Sequence, residues 1–184
     1  MNAGVISSRY ALALLKLVQE TGAGEKTYSQ ACTLVQRMQE VDRLAEVLHK
    51  HPEISLDRKL EIIDAALDEP SVDEIRRFVS LVHMNGRMEF LMRMLQAFIA
   101  DYRDVKGMKM GRLVTAMSVP GLNDKLKHTV REKTGYDLIL EEKINPDIIG
   151  GFILEVDDLR MDASVEAQFR RLRRELIDNN NRIV

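Results

Sequence analysis

Residues 106–119 read KGMKMGRLVTAMSV, and the sequence pattern changes there from helical to β-type. Before this stretch, apolar residues recur every three or four positions, which is typical of amphipathic helices. Leu113 to Val119 is instead rich in residues that favour strands. The glycine-bearing segment 105–111 is therefore predicted to link two domains, residues 1–104 and residues 112–184.

The first domain is predicted to consist of six helices with short connections, which is typical of a helical bundle. Pro52 and Pro70 separate neighbouring helices because proline disfavours helix at the residue before it. Ser71 and Glu74 match a capping box, so the fifth helix is predicted to begin at Ser71. The apolar stripes of the six helices run over Ile6–Leu17, Tyr28–Met38, Leu44–Leu48, Leu56–Leu67, Ile75–Val82 and Met88–Tyr102.

The second domain is predicted to be a small α/β unit, which makes the whole chain α+β. A strand up to Val119 is followed by a helix that Asn123 caps and Gly135 ends, and then by further short strands. Ser164 is predicted to cap the last helix. The predicted inner face of that helix carries Val165, Phe169, Leu172 and Leu176.

Charge and composition argue against several classes of function. The net charge is −2, with 13 basic and 16 acidic residues up to Asp104 and 14 and 13 beyond it. Neither half has the basic excess that nucleic-acid binding requires. The longest apolar runs, such as Ala11 to Leu15, are far shorter than the about 20 residues of a membrane-spanning helix. No secretory signal is recognised at the start, so a cytoplasmic location is expected.

No sequence pattern indicates a catalytic, cofactor or metal site. His49 and His51 are the only histidines close in sequence, and a spacing of two places them about 200° apart on a helix. Gly150-Gly151 precedes a strand, which favours close backbone packing or a bulge over a phosphate-binding loop. Cys32 is the single cysteine and is expected to fill a small buried space.

Two surfaces have alternative interpretations. The run from Arg170 to Arg174 is the most basic point of the chain, and it is either a solvated helix face or a site for an acidic protein partner or a nucleic acid. The methionines between Met84 and Met94 either fill a core or form an adaptable docking surface.

Several short motifs, taken in order, resemble the delta subunit family of rotary ATP synthases, which includes the oligomycin-sensitivity-conferring protein. RYALAL at residues 9–14 is similar to the opening of the family's first helix. NPDIIGGF at residues 145–152 and DASV at residues 162–165 are similar to two motifs that precede its last helix. Ala163 and Asn145 depart from the family's usual glycine and aspartate. Further matches are His51-Pro52, Lys59, Gly86-Arg87 and Leu91, so the resemblance covers nearly the whole chain.

The resemblance implies a six-helix N-terminal bundle and a smaller α/β C-terminal domain that together tie the catalytic head to the peripheral stalk. It implies no bound nucleotide, no cofactor and no catalytic residue. The N-terminal helix of the alpha subunit is expected in a groove between the first and fifth helices. This groove would be formed by Tyr10, Ala11, Leu14, Val79 and Val82, although the same positions could be plain core.

The C-terminal domain is expected, again from the resemblance, to bind the b subunit of the stalk, with Gly150, Gly151 and the last helix as candidates. No transit peptide is recognised before Arg9, so the expected location is the cytoplasmic face of a bacterial inner membrane, without a membrane span of its own. Two alternatives are a helical scaffold or regulatory module with other protein partners, and a small α/β enzyme with an unrecognised site.

Overall fold

Helices occupy most of the chain up to Lys106, and a sheet with two further helices follows. The computed structural model describes residues 3–51 and 54–181. It divides into two compact units, Met1–Val105 and Lys106–Val184. The predicted α+β class is confirmed.

Six α-helices and one short 3₁₀ turn are described in the first unit. They are α1 Ala3–Thr21, α2 Gly24–Glu40, α3 Asp42–Lys50, α4 Leu56–Leu67, α5 Asp73–Met84 and α6 Leu91–Lys106, with the 3₁₀ turn at Met88–Phe90. Helix α1 packs against α2 and α5, and α2 also packs against α3 and α4. Pro52 lies outside the described residues, and α3 ends just before it at Lys50. Gly86 takes a left-handed backbone conformation directly after α5, as expected for a helix stop.

The core of the first unit is formed by the apolar stripes that the sequence predicts. Its fully buried side chains include Leu14, Leu34, Ile63, Ile75, Leu91, Leu95 and Phe98. Burying one such side chain contributes about 1.5–3 kcal/mol, so these stripes dominate the stability of the unit.

The predicted start of α5 at Ser71 is wrong. The helix begins at Asp73, and its cap residue Val72 makes no side-chain cap. Ser71 instead donates from its backbone N (2.8 Å) and its hydroxyl (2.5 Å) to the Asp64 carboxylate of α4. The backbone N–H of Val72 donates to Oε1 of Gln30 on α2 at 2.9 Å. Side chains from two other helices therefore satisfy the backbone N–H groups of the two residues that precede α5.

The second unit is built on a four-stranded mixed sheet. Its elements are β1 Met108–Thr115, α7 Leu122–Thr134, β2 Asp137–Ile144, a 3₁₀ turn at Pro146–Ile148, β3 Phe152–Val156, β4 Leu159–Asp162 and α8 Val165–Asn181. The strand order is β2-β1-β3-β4, with β1 and β2 parallel and the other pairs antiparallel. Helix α7 makes the crossover between the parallel strands and packs on β2. Leu113 and Leu154 face each other in the register and are both buried.

Most of the predicted linker at residues 105–111 belongs to regular structure. Helix α6 continues to Lys106, and residues 108–111 are the first half of β1. A Cβ at Gly111 would lie 2.9 Å from Leu140 Cδ2 and 3.0 Å from the Glu155 carbonyl oxygen. The glycine is therefore needed for close packing within the sheet rather than for flexibility.

Two further boundaries of the second unit differ from the prediction. Strand β1 ends at Thr115 instead of Val119, and Val119 is exposed. Gly121, at φ 75°, stands at the cap position of α7 that was predicted for Asn123. Asn123 lies inside the helix, and its Nδ2 donates to Oε1 of Glu142 on β2 at 2.6 Å. The left-handed conformation that starts α7 favours glycine, which explains the difference. Gly135 ends the helix as predicted.

Candidate protein-binding surfaces

No arrangement of side chains that supports a metal or a membrane span is found in the part of the chain that the structure describes. Among residues 3–51 and 54–181, no three His, Cys, Asp or Glu side chains are placed to hold a metal ion. Within the same ranges, no helix combines the length and apolar character needed to cross a membrane.

The structure buries four of the five residues predicted to form the groove between α1 and α5. Ala11, Leu14, Val79 and Val82 are all buried in the core of the first unit, in which α1 packs against α5. A partner cannot contact them in this conformation, so they occupy the core positions that were the alternative interpretation. Their apolar spacing marks the buried faces of α1 and α5.

Tyr10, the fifth predicted residue, is half-buried at the margin of the same contact. Its ring meets Phe78 of α5 edge-on, with centroids 6.4 Å apart. Nη1 of Arg87 donates to the Tyr10 hydroxyl at 2.9 Å, and the guanidinium carbon lies 5.5 Å from the ring centroid. Tyr10 therefore marks where α1 and α5 meet near the surface.

Apolar side chains beside Tyr10 and Phe78 remain exposed. Ala13 follows Tyr10 by three residues, and Leu81 follows Phe78 by three, so each lies on the same side of its helix as the aromatic contact. Leu81 is 45% exposed although it is a large apolar residue. We call Tyr10, Ala13 and Leu81 the α1–α5 edge. Leu81 lies outside the buried stripe of α5, and this position is the sequence signal from which its exposure could have been predicted.

Gly150 and Gly151 hold the loop before β3 against the chain that enters α8. Gly151 has φ 75°, and a Cβ there would lie 2.3 Å from the Ala163 carbonyl oxygen. The Gly150 carbonyl accepts a hydrogen bond from the Val165 backbone N–H at 3.0 Å. The prediction of close backbone packing is confirmed, which gives both glycines a structural role.

Asp162 and Ser164 fix the start of α8. The Asp162 carboxylate accepts hydrogen bonds from the Ser164 backbone N–H (3.0 Å) and hydroxyl (2.6 Å). The Ser164 hydroxyl oxygen accepts in turn from the Ala167 N–H at 3.1 Å, so the predicted cap is confirmed. The hydrogen bonds from Ser164, with the nearby charges of Arg160 and Arg170, lower the pKa of Asp162 below its usual value.

The prediction that one apolar face of α8 packs inward is wrong for Phe169 and Leu172, whose side chains the structure describes. Phe169 is 63% exposed and Leu172 is 54% exposed, while Val165 is half-buried. The side chain of Leu176 lies outside the described part of the chain. No described element of the second unit covers the apolar stripe beyond Val165, so this face is available to another protein.

A second apolar surface of this unit is a cavity between α7 and the β3–β4 hairpin. Its volume is about 440 Å³, and its walls include Val130, Tyr136, Leu154, Leu159 and Met161. Nζ of Lys109 and Oδ2 of Asp157 form an ion pair at 3.0 Å beside it. Leu159 is 78% exposed, so the cavity opens to solvent.

Comparison with known proteins relates both units to one family. The family model described as ATP synthase delta (OSCP) subunit matches residues 6–176. The chain belongs to this family. Members of the delta (OSCP) family are non-catalytic subunits of ATP synthase, and this chain is one of them.

Individual relatives agree with this assignment. An ATP synthase subunit delta of Bacteroides fragilis is 34% identical over 188 residues, covering all of both chains. One from Phocaeicola vulgatus is 35% identical over 186 residues, again covering all of both chains. A chain in a cryo-EM structure of the Toxoplasma gondii mitochondrial ATP synthase hexamer has a TM-score of 0.60 at 20% identity, covering 93% of this chain and 97% of that one. This last likeness shows a shared fold.

Proposed function

We propose that this chain is the stator subunit that ties the catalytic head of a rotary, proton-translocating ATP synthase to its peripheral stalk. The observation that carries the proposal is the presence, on one chain, of two compact units that each expose apolar surface outside their own core. The family match from residue 6 to residue 176 spans both units. A protein that resists rotor torque needs two firm contacts and no reactive group.

The six helices of the first unit would act as the bundle that binds the head. The partner is the N-terminal helix of the alpha subunit, and its site is the α1–α5 edge of Tyr10, Ala13 and Leu81. The apolar side chains of this edge suit helix-in-groove recognition, in which an amphipathic helix inserts apolar anchors. A nanomolar contact would correspond to about −12 kcal/mol.

The test of this site is Leu81→Asp in the full chain. Burying a leucine contributes about 1.5–3 kcal/mol, so the variant should bind an alpha-subunit N-terminal peptide at least about tenfold more weakly. Leu12 is the matched control, because it is an exposed leucine (49%) of α1 that lies two residues from Tyr10 and so faces away from that ring. Leu12→Asp should leave the affinity unchanged. Equal effects of the two variants would place the peptide elsewhere.

A charged residue at Ala11 is not a useful test, although the predicted groove suggests one. Ala11 is fully buried, so Ala11→Arg would disrupt the packing of α1 in the core of the first unit. Loss of peptide binding by that variant would report unfolding as much as a lost contact.

The second unit would bind the b subunit of the peripheral stalk. Because the first unit would bind the catalytic head and the second unit the stalk, the chain would connect the two. We place the protein at the cytoplasmic face of a bacterial inner membrane, held there through its partners. A tagged chain purified from a membrane extract should bring down both alpha and b subunits. Recovery of other partners without either subunit would contradict the proposal and favour a scaffold of another kind.

A further inference from the structure

The apolar residues of α8 follow the spacing of a coiled-coil seam. Val165, Phe169, Leu172 and Leu176 are separated by four, three and four residues, which is the alternation of a and d positions in a heptad repeat. Helix α8 extends from Val165 to Asn181, so all four positions are helical. Such a seam packs efficiently only against another helix that supplies complementary knobs and holes.

The middle of this seam is exposed in the isolated chain. Phe169 and Leu172 both have more than half of their surface accessible to solvent. Two large apolar side chains on adjacent turns of one helix face form a patch that a soluble protein usually covers with a partner. We call Phe169 and Leu172 the α8 seam.

Basic side chains flank the α8 seam. Arg173 follows Leu172 at the e position of the heptad, where side chains meet those of a neighbouring helix. Arg171 and Arg174 are also exposed. Arg170 is already engaged, with ion pairs to Asp162 at 3.8 Å and to Glu166 at 3.4 Å. Among the described side chains of α8, four arginines stand against one glutamate, so the surroundings of the seam favour an acidic partner.

We propose that α8 forms a short coiled-coil contact with a partner helix that has its own apolar heptad seam flanked by acidic side chains. The inference rests on the proposed function, in which this partner is the b subunit. An anionic membrane surface fits less well, because a helix lying on lipid needs a broad apolar face, whereas a coiled-coil seam is narrow. The exposed cavity around Leu159 is lined by α7 and the β3–β4 hairpin together, so it offers no apolar seam along one helix.

The experiment measures the affinity of the full chain for the soluble cytoplasmic part of the b subunit from the same synthase. Leu172→Asp should weaken binding at least about tenfold, since it places a charge in the seam. Leu159→Asp is the matched control, because it changes an exposed leucine of the same unit to the same residue. It should bind as the wild type does. Circular dichroism should show unchanged helix content in both variants.

Charge reversal tests the acidic character of the partner. Arg173→Glu should weaken binding and should reduce its dependence on salt concentration, because one attractive contact becomes repulsive. Should Leu172→Asp lower the helix content, Leu172→Ala replaces it, since alanine favours the helix while removing most of the apolar contact. A several-fold loss of affinity is then expected.

The outcomes separate the two proposals. A wild-type chain that does not bind the b subunit refutes the proposed role of the second unit. Wild-type binding that Leu172→Asp leaves intact, or that Leu159→Asp alone abolishes, refutes the α8 seam while the proposed function stands. Concentration-dependent dimers that Leu172→Asp abolishes, with b binding unchanged, would show that a second copy occupies the seam. Seam-dependent binding to anionic vesicles without binding to the b subunit would also overturn the inference.

Discussion

Replacing Gly151 with alanine should destabilise the loop before β3 and the start of α8. The size of the loss in stability follows from the backbone geometry at Gly151. A non-glycine residue at φ 75° costs about 1–2 kcal/mol. The new Cβ would also lie 2.3 Å from the Ala163 carbonyl oxygen and 3.0 Å from the Ser164 Cα. Both atoms belong to the backbone, so the chain itself must move, and such overpacking costs about 1–3 kcal/mol. We expect Gly151→Ala to lose about 2–5 kcal/mol of stability in the second unit.

Amide hydrogen exchange on the full chain measures this loss where it occurs. The slowest amides of β3 and β4 report the opening free energy of the second unit, and those of α1 and α5 report the first. Gly150→Ala is the control, because its Cβ would meet only a Val165 methyl group at 3.1 Å. It should cost less than about 1 kcal/mol. Equal losses at the two glycines, or no loss at Gly151, would show that the loop does not pack as described.

Two other changes probe polar contacts within each unit. Gln30→Ala should destabilise the first unit by about 1–3 kcal/mol in urea unfolding, because the Val72 N–H loses its acceptor, while exposed Gln36→Ala should change little. Asp162 should make the second unit acid-sensitive. Its folded-state pKa is lowered from the usual value of about 3.9, so its contribution is present above that pH and is lost as the pH falls through the folded-state pKa. The opening free energies of wild type and Asp162→Asn should therefore differ near pH 6, and the difference should shrink as the pH falls through the folded-state pKa of Asp162; a constant difference would contradict this assignment.

The positions of the helices were largely predictable because each helix carries its own signal. The apolar spacing of α1, α4 and α5 appears in the sequence as it appears in the buried faces of the structure. Local stop signals were also sufficient at Gly86 and Gly135, where the backbone must turn left-handed. These features depend on a few consecutive residues, so no tertiary information is needed to recognise them.

Some residues have more than one possible structural role, and the sequence alone did not distinguish between these roles. Gly111 was predicted to lie in the segment that links the two domains, and the structure places it in β1, where it allows close packing on Leu140 and the Glu155 backbone. Ser71 was interpreted as a helix cap, but Asp64 of α4 takes both of its donors. In each case a residue on another helix or strand decided the role, and one sequence does not reveal which elements pack together.

The sequence by itself determined where helices and strands form and to which family the chain belongs, because periodicity, turn residues and short motifs are properties of neighbouring residues. Only the tertiary structure decided which apolar faces are covered. It buried Ala11 and Val79, predicted to bind a partner, and left Phe169 and Leu172, predicted to face inward, exposed. Helical spacing is the same whether the covering surface belongs to the same chain or to another protein, so the distinction requires the packed structure.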